Sequence, residues 1–207
     1  MIIVQVEFNT MITGMGMLCA TVQGATGYYA AYYKKKTALL TTNKILNRAH
    51  RAFGSFATTL YLLGLFAGTV GFVGAIRYNT PPLELDSVSF HVHTWGSFPV
   101  ALVFAWKTYL GYFKKESLYG KRRWLGMALF LAWGFTWISA AMSYYLRTLP
   151  DNLQHPPPVF LLPYELLWLQ LVLPLMAGGA ISAIIVSKAG ATMKEAGGEN
   201  GAESDQG

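Results

Sequence analysis

The 207-residue chain has little charge: Asp, Glu, Lys and Arg together make up 13% of it, against roughly 25% in an average soluble domain. Acidic residues are the scarcest, and none occurs between Glu7 and Glu84 or between Glu116 and Asp151. Hydrophobic residues make up 53%, and the mean hydropathy is +0.34. This composition excludes a disordered chain and argues against a water-soluble globular domain.

Cysteine and histidine are also rare, which restricts the metal chemistry of the chain. The single cysteine, Cys19, excludes a disulfide framework and a cysteine-rich metal site. The remaining good metal ligands are four histidines: His50, His91, His93 and His155. No basic region precedes the first apolar stretch, so we expect that stretch to act as an uncleaved anchor rather than as a signal peptide.

Long apolar runs fill most of the remaining sequence. A bilayer core requires about 20 consecutive apolar residues per helix, because backbone polar groups must be paired in hydrocarbon. Five stretches reach that length, and only Lys107 and Glu165 are charged within them: residues 11–33, 52–76, 92–113, 124–146 and 163–187. The sequence predicts an all-α integral membrane bundle of five transmembrane helices over residues 1–188, followed by a disordered inner tail over residues 189–207.

The positions of the basic residues predict how this bundle is oriented. Lys and Arg in short loops remain on the cytoplasmic side of a membrane. With the N-terminus outside and the C-terminus inside, the inner side holds 13 of the 16 Lys and Arg residues. Arg77 and Arg147 remain outside, and Lys107 is expected to extend its ammonium toward the inner surface. The net charge of +6 is thus explained without a nucleic-acid partner.

Small residues follow one face of the second stretch. Steps of four and three residues from His50 reach Gly54, Ala57, Tyr61, Gly64, Gly68, Gly71 and Ala75. Residues at this average spacing share one side of a helix. Such a face can pack against a neighbouring helix, which is its commoner use, or hold a flat cofactor against the backbone.

The histidines lie at the predicted ends of the spans. His50 precedes the second stretch at its inner end, whereas His91 and His93 are at the outer end of the third. Imidazole is a common axial ligand of haem iron, and ionisable groups beside membrane spans often serve function. The second stretch is about 37 Å long at 1.5 Å per residue, so His50 and His93 are expected to be too far apart to bind one iron.

Two segments carry a family resemblance: Arg48-Ala49-His50-Arg51-Ala52-Phe53-Gly54 and Phe90-His91-Val92-His93-Thr94-Trp95-Gly96. They resemble central helices of the ascorbate-reducible transmembrane b-type cytochromes and their ferric-reductase-like relatives, over residues 48 to 113. The resemblance implies bound haem b, with His50 as an inner ligand and His93, next to His91, as an outer ligand. It also implies that Gly54 and Gly96, one turn from these ligands, leave room for the porphyrin.

In that family a second histidine reaches each iron from a neighbouring helix. The first and fourth stretches of this chain contain no histidine. The candidate substitutes are Met15 or Met17 in the first stretch, Met127 in the fourth, and His155 in the last outer loop. Methionine paired with histidine is an established form of haem ligation.

Two functions are consistent with these observations. The resemblance implies a transmembrane electron-transfer subunit, a component of an oxidoreductase within a larger membrane complex, which exchanges electrons with a quinone or a small reductant. The alternative is a non-catalytic structural or assembly subunit on the same scaffold that has lost haem. In both cases the partners are the lipid bilayer and other membrane subunits, in a bacterial inner membrane or an energy-converting organelle membrane.

Overall fold

The structure is a computed structural model, and it describes residues 3–34, 39–78, 88–148 and 168–202. In this part of the chain 97% of the residues are helical and no strand is found, which confirms the all-α prediction. The helices are α1 (Ile3–Tyr28, continued by a π-helical turn at Tyr29–Tyr33), α2 (Leu39–Thr42), α3 (Lys44–Tyr78), α4 (Val88–Phe113), α5 (Lys115–Thr148) and α6 (Leu169–Ala202).

Three of the helices contain segments that are long and apolar enough to cross a membrane: Lys44–Gly74 in α3, Arg123–Ala141 in α5 and Leu171–Met193 in α6. Their apolar side chains are mostly not buried within the chain, and large examples such as Phe66 and Leu131 are exposed. This exposure is compatible with a multi-pass integral membrane protein, because lipid solvates apolar side chains that water would not.

The long helices alternate in direction. Thr26 of α1 contacts His50 of α3, and Gly64 of α3 lies against Ile12, so α1 and α3 are antiparallel. Equivalent pairs make α4 antiparallel to α3 and α5 antiparallel to α4, whereas α6 runs parallel to α1. Lys34, Lys44 and Lys114 consequently share one end of the bundle, which we call the cationic end.

The boundaries of the helices differ from those expected from apolar runs. Helix α3 begins at Lys44, eight residues before the predicted span. The side-chain oxygen of Asn43 accepts hydrogen bonds from the backbone N–H groups of Ile45 and Leu46, at 3.1 and 3.0 Å. This is an N-cap. The side-chain amide of Asn43 also donates to the carbonyl of Ala189 in α6, at 3.4 Å, which ties the start of α3 to α6.

The last helix also extends beyond the predicted membrane domain. We expected a tail without regular structure after residue 188, whereas α6 continues to Ala202. Residues 203–207 and 163–167 lie outside the described residues, as do 79–87 and 149–162, which make up most of the predicted outer loops.

The core consists of aromatic side chains placed against small residues. The rings of Tyr61 and Phe104 stack with centroids 3.9 Å apart, and the ring of Trp133 meets both edge-on at 6.0 Å. Trp133 also lies where a side chain on Gly16 would be. The absence of a side chain at Gly16 therefore allows an indole of α5 to contact α1, which packs three helices around one ring.

The small-residue face of α3 is used over only part of its length. Gly54, Ala57 and Tyr61 are buried, and Gly64 is partly buried. Gly68 is exposed, and a Cβ added there would meet no described atom within 4 Å. Within the described residues, helix packing therefore accounts for the half of this face nearer the cationic end.

The close contact between α1 and α6 predicts that substitutions of the adjacent residues Gly178 and Gly179 differ in their effect on stability. A Cβ on Gly178 would lie 2.8 Å from the Cβ of Thr21 and 2.9 Å from the carbonyl oxygen of Leu18, whereas one on Gly179 would meet nothing within 4 Å. Because backbone has to move, we expect Gly178→Ala to lower the free energy of unfolding by about 1–3 kcal/mol. Gly179→Ala, the matched control, should leave it unchanged or raise it slightly. Detergent-denaturation titrations followed by circular dichroism measure both, and equal effects would contradict the α1–α6 contact.

Candidate functional site

His50 is held by α1 at the half of the bundle nearer the cationic end. Its Nδ1 lies 3.0 Å from the hydroxyl oxygen of Thr26, and its Cε1 would lie 3.4 Å from a Cβ on Gly27. The Thr26 hydroxyl donates to the backbone carbonyls of Val22 and Gln23, at 2.9 and 3.0 Å. When the single hydrogen of that hydroxyl is donated to a backbone carbonyl, Nδ1 of His50 is the donor to Thr26, and in the other tautomer of the imidazole Thr26 donates to Nδ1.

The first of these two arrangements is the one that suits a metal ligand. A neutral imidazole that donates through Nδ1 carries its lone pair on Nε2. Histidines that bind metals are oriented in this way, by a hydrogen bond from the nitrogen that does not bind the metal.

His93 repeats the arrangement at the other end of the bundle. Its Nδ1 lies 2.9 Å from the hydroxyl oxygen of Ser139 in α5, and that hydroxyl donates to the carbonyl of Thr136 at 3.2 Å. The backbone carbonyl of His93 accepts a 2.6 Å hydrogen bond from Ser97. Both predicted ligands thus present Nδ1 to a buried hydroxyl group on a neighbouring helix.

His91 has a different environment. It is exposed, and its Nδ1 accepts a 3.3 Å hydrogen bond from the indole N–H of Trp95, one turn along the same helix. Two residues along a helix correspond to about 200° of rotation, so His91 and His93 point to opposite sides of α4. The structure does not bring these two predicted cofactor ligands together.

The distance between the two ends agrees with the prediction that His50 and His93 cannot bind one iron. Thr58 of α3 and Lys107 of α4 mark a common level. His50 is eight residues from this level and His93 is fourteen residues from it on the other side, which corresponds to about 33 Å at 1.5 Å per residue. Each histidine therefore belongs to a separate site.

Two side chains occupy the spaces beside Gly54 and Gly96 in which a porphyrin was expected, and we call these spaces the notches. A Cβ on Gly54 would collide with the amide of Gln23, and one on Gly96 would collide with the ring of Phe135. Both collisions involve the outer end of a side chain rather than backbone, so rotation of Gln23 and Phe135 opens the notches. The glycines therefore serve helix packing in this structure, and they still leave space that a flat ligand can take.

The proposed second ligands are less well placed. Met17 is 3% exposed within the apolar core, whereas Met15 and Met127 are 56% and 47% exposed at the bundle surface. Met127 follows Arg123 by one turn, and the guanidinium of Arg123 reaches the carbonyl of Ala31 at 3.4 Å, which puts Met127 near the level of His50. His155 lies outside the described residues. The chain thus offers one oriented imidazole per site, which fits one of the two axial positions of a haem.

The described residues contain no cluster of three or more His, Cys, Asp or Glu side chains. A multi-ligand site for a bare metal ion is therefore not formed by this part of the chain. An iron held in a porphyrin requires only one or two protein ligands, so this absence does not bear on a haem at His50 or His93.

A second polar feature lies between α3 and α4. The ammonium of half-buried Lys107 donates a 3.0 Å hydrogen bond to the hydroxyl of Thr58, which in turn donates to the carbonyl of Gly54 at 2.9 Å. Lys107 also acts electrostatically on His50. The ammonium is held at α3, about 21 Å from the first residue of that helix at 1.5 Å per residue, rather than extended to the cationic end as expected.

The residues around the two histidines carry little signal in the sequence. Thr26 and Ser139, which contact the imidazole rings, and Gln23 and Phe135, which lie at Gly54 and Gly96, belong to no motif, and single hydroxyl residues in apolar helices commonly bond their own backbone. One available signal was the pair Gln23 and Thr26, two polar residues one turn apart in an apolar stretch. The partner helix was not readable from that pair.

Comparison with known proteins found no family model that matches the chain, no similar curated protein and no similar solved structure.

The contact between the Thr26 hydroxyl and His50 predicts that removal of this hydroxyl destabilises the protein. Thr26→Val keeps the shape of the side chain and removes the acceptor of the Nδ1–H group, so we expect the free energy of unfolding to fall by about 1–3 kcal/mol. Thr69→Val is the matched control, because the exposed Thr69 hydroxyl bonds only the carbonyl of Leu65 in its own helix. Denaturant titrations measure both variants. Equal losses would show that Thr26 does not hold the imidazole.

Proposed function

We propose that the chain forms five transmembrane helices, α1, α3, α4, α5 and α6, with the N-terminus outside and the C-terminus inside. The alternating direction of these helices supports an odd number of crossings. The accumulation of lysines at the cationic end supports the orientation, because positive charge is retained on the inner side. Arg123 and Lys34 stack on tyrosine rings at this end, Arg123 on Tyr32 and Lys34 on Tyr29 and Tyr33, as expected at a membrane interface.

The function that the geometry supports best is that of a transmembrane b-type cytochrome-like electron-transfer subunit. The observation that carries this proposal is the repeated arrangement of His50 and His93, each of which is oriented through Nδ1 by a hydroxyl group on another helix. Placing ionisable imidazoles within an apolar bundle costs free energy, and such residues usually have a function. In this proposal His50 and His93 would each hold one haem b.

When bound, haem supplies one-electron redox chemistry. The residues of the chain hold and orient it: Thr26 and Ser139 fix the ligand rings, and Gln23 and Phe135 move aside from Gly54 and Gly96. One site near each membrane surface would let electrons enter from a quinone or a small reductant on one side and leave on the other. Because the described residues supply one ligand per site, we propose that another subunit of a larger complex completes the ligation.

A second candidate function is favoured by one observation. Gln23 and Phe135 fill the glycine notches, as in a bundle that uses these glycines for packing alone. A non-catalytic structural or assembly subunit, descended from a haem-binding scaffold, has this property. The proposed membrane for either function is a bacterial inner membrane or an energy-converting organelle membrane.

Optical spectra distinguish the two candidates. The protein is purified in mild detergent with its native partners, and spectra are recorded after oxidation with ferricyanide and reduction with dithionite. We expect a reducible Soret band whose intensity falls by about half in His50→Ala and in His93→Ala, because each variant loses one of two haems.

His91→Ala is the matched control, since His91 points away from His93 and its loss should leave the spectrum unchanged. Gln23→Ala and Phe135→Ala open the notches and should raise haem content or leave it unchanged. A folded, colourless protein that is not reconstituted by added haemin would overturn the cytochrome proposal and support the structural one.

The orientation has its own test. Cys19, the single cysteine, is replaced by alanine, and one cysteine is introduced at Lys114 or at Arg77. In sealed, right-side-out vesicles we expect a membrane-impermeant maleimide to label the Arg77→Cys variant and to reach the Lys114→Cys variant only after permeabilisation. Labelling of the Lys114→Cys variant in intact vesicles would reverse the proposed topology.

A further inference from the structure

Lys107 is an ionisable residue that the proposed electron-transfer function does not use. It lies six residues before the end of α4, which corresponds to about 9 Å at 1.5 Å per residue. A lysine at this depth commonly extends its ammonium to the nearest surface. Here the ammonium turns toward α3 and donates to Thr58 at 3.0 Å, within the bundle.

None of the described side chains of the neighbouring helices can neutralise this ammonium. The sequence contains no Asp or Glu between Glu7 and Glu84 or between Asp86 and Glu116, and none of the side chains that the structure describes is acidic. His50, which interacts with Lys107 electrostatically, is also basic. An ammonium without a negative partner is expensive in apolar surroundings, so an anion from outside the chain would stabilise it.

Two donors at this level have spare hydrogen-bonding capacity. An ammonium has three donor hydrogens, and Thr58 accepts one of them. Tyr61, one turn further along α3, is 6% exposed, and its buried hydroxyl has no hydrogen-bond partner among the described residues. Such buried unsatisfied groups are rare and call for an explanation.

Tyr61 and Lys107 lie within about one helical turn of each other along α3 and α4. The ring of Tyr61 stacks on Phe104 at 3.9 Å, and Phe104 precedes Lys107 by one turn. Side chains of a helix lean toward its N-terminus, so Tyr61 leans toward the turn that carries Thr58. Lys107 reaches Thr58 from the other helix.

The face of α4 that carries Lys107 is open toward the cationic end. Gly111 follows Lys107 by one turn, and a Cβ added there would meet no described atom within 4 Å. Trp106, next to Lys107, is an exposed large apolar residue. A ligand whose headgroup meets Lys107 and Tyr61 would place its hydrocarbon chain along this surface of α4.

We propose that α3 and α4 bind the oxyanion of an anionic amphiphile, with Lys107 as its charged partner and Tyr61 as a second donor. The group is the carboxylate of a fatty acid or the phosphate of an acidic phospholipid, since both offer negative oxygens on an apolar tail. This site uses none of the proposed haem ligands, and its binding is measurable on protein without haem.

The experiment uses the full chain in nanodiscs of neutral phosphatidylcholine. Binding of radiolabelled oleate and of radiolabelled phosphatidylglycerol is measured separately, and oleyl alcohol and decylubiquinone serve as uncharged probes. We expect saturable binding of one oleate or one phosphatidylglycerol per chain, and whichever anion binds more tightly identifies the source. Lys107→Met should weaken this binding at least tenfold, because a charged hydrogen bond is lost.

Three further variants make the result specific. Lys107→Arg keeps the charge and should retain binding within about threefold, whereas Tyr61→Phe removes a neutral hydrogen bond and should weaken binding about fivefold. Lys114→Met, the matched control, removes an exposed lysine seven residues away and should have no effect. Circular dichroism compares the helical content of each variant with that of the unmodified protein. If Lys107→Met does not fold, the binding test relies on Tyr61→Phe, which keeps the ring stack.

Either of two results overturns the proposal. One is equal binding of the anions by the unmodified protein and by a folded Lys107→Met or Tyr61→Phe variant. The other is binding of oleyl alcohol or decylubiquinone as tight as that of the anions, which would assign the site to an uncharged ligand. Neither result bears on the haem spectra, so this site and the electron-transfer function are tested separately.

Discussion

The structure depends on one constraint: a polar side chain in an apolar bundle must find its partner in the bundle. Thr21, Thr108 and Ser182 satisfy this constraint locally, by donating to backbone carbonyls in their own helices. His50, His93 and Lys107 satisfy it across helices, through hydroxyl groups on α1, α5 and α3. These cross-helix bonds fix both the register of the helices and the orientation of the groups with chemistry.

Small residues make those bonds possible, because they let the helices approach closely. Gly16 admits the ring of Trp133, and Gly178 places α6 against the backbone of α1 at Leu18. With α1 held between α3, α5 and α6 in this way, Thr26 meets His50 at hydrogen-bond distance. The geometry around His50 consequently depends on helix packing, since a substitution that moves α1 also moves the Thr26 hydroxyl that contacts the His50 ring.

The two polar sites differ in what they require. An imidazole that donates through Nδ1 is complete as a neutral group and becomes a metal ligand without further change. An ammonium beside an unpaired phenol is incomplete, because its charge has no partner among the described side chains. The first arrangement supports the proposed cytochrome-like function, whereas the second supports the proposed anion site, which does not depend on that function.

Composition and spacing along a helix are enough to predict that the chain is helical and apolar, and that His50 and His93 lie at opposite ends. They do not predict that Gln23 and Phe135 lie at Gly54 and Gly96, or that Lys107 reaches Thr58 rather than the cationic end. Each of these contacts depends on which residues of another helix stand opposite, and the periodicity of a single helix contains no information about its neighbour.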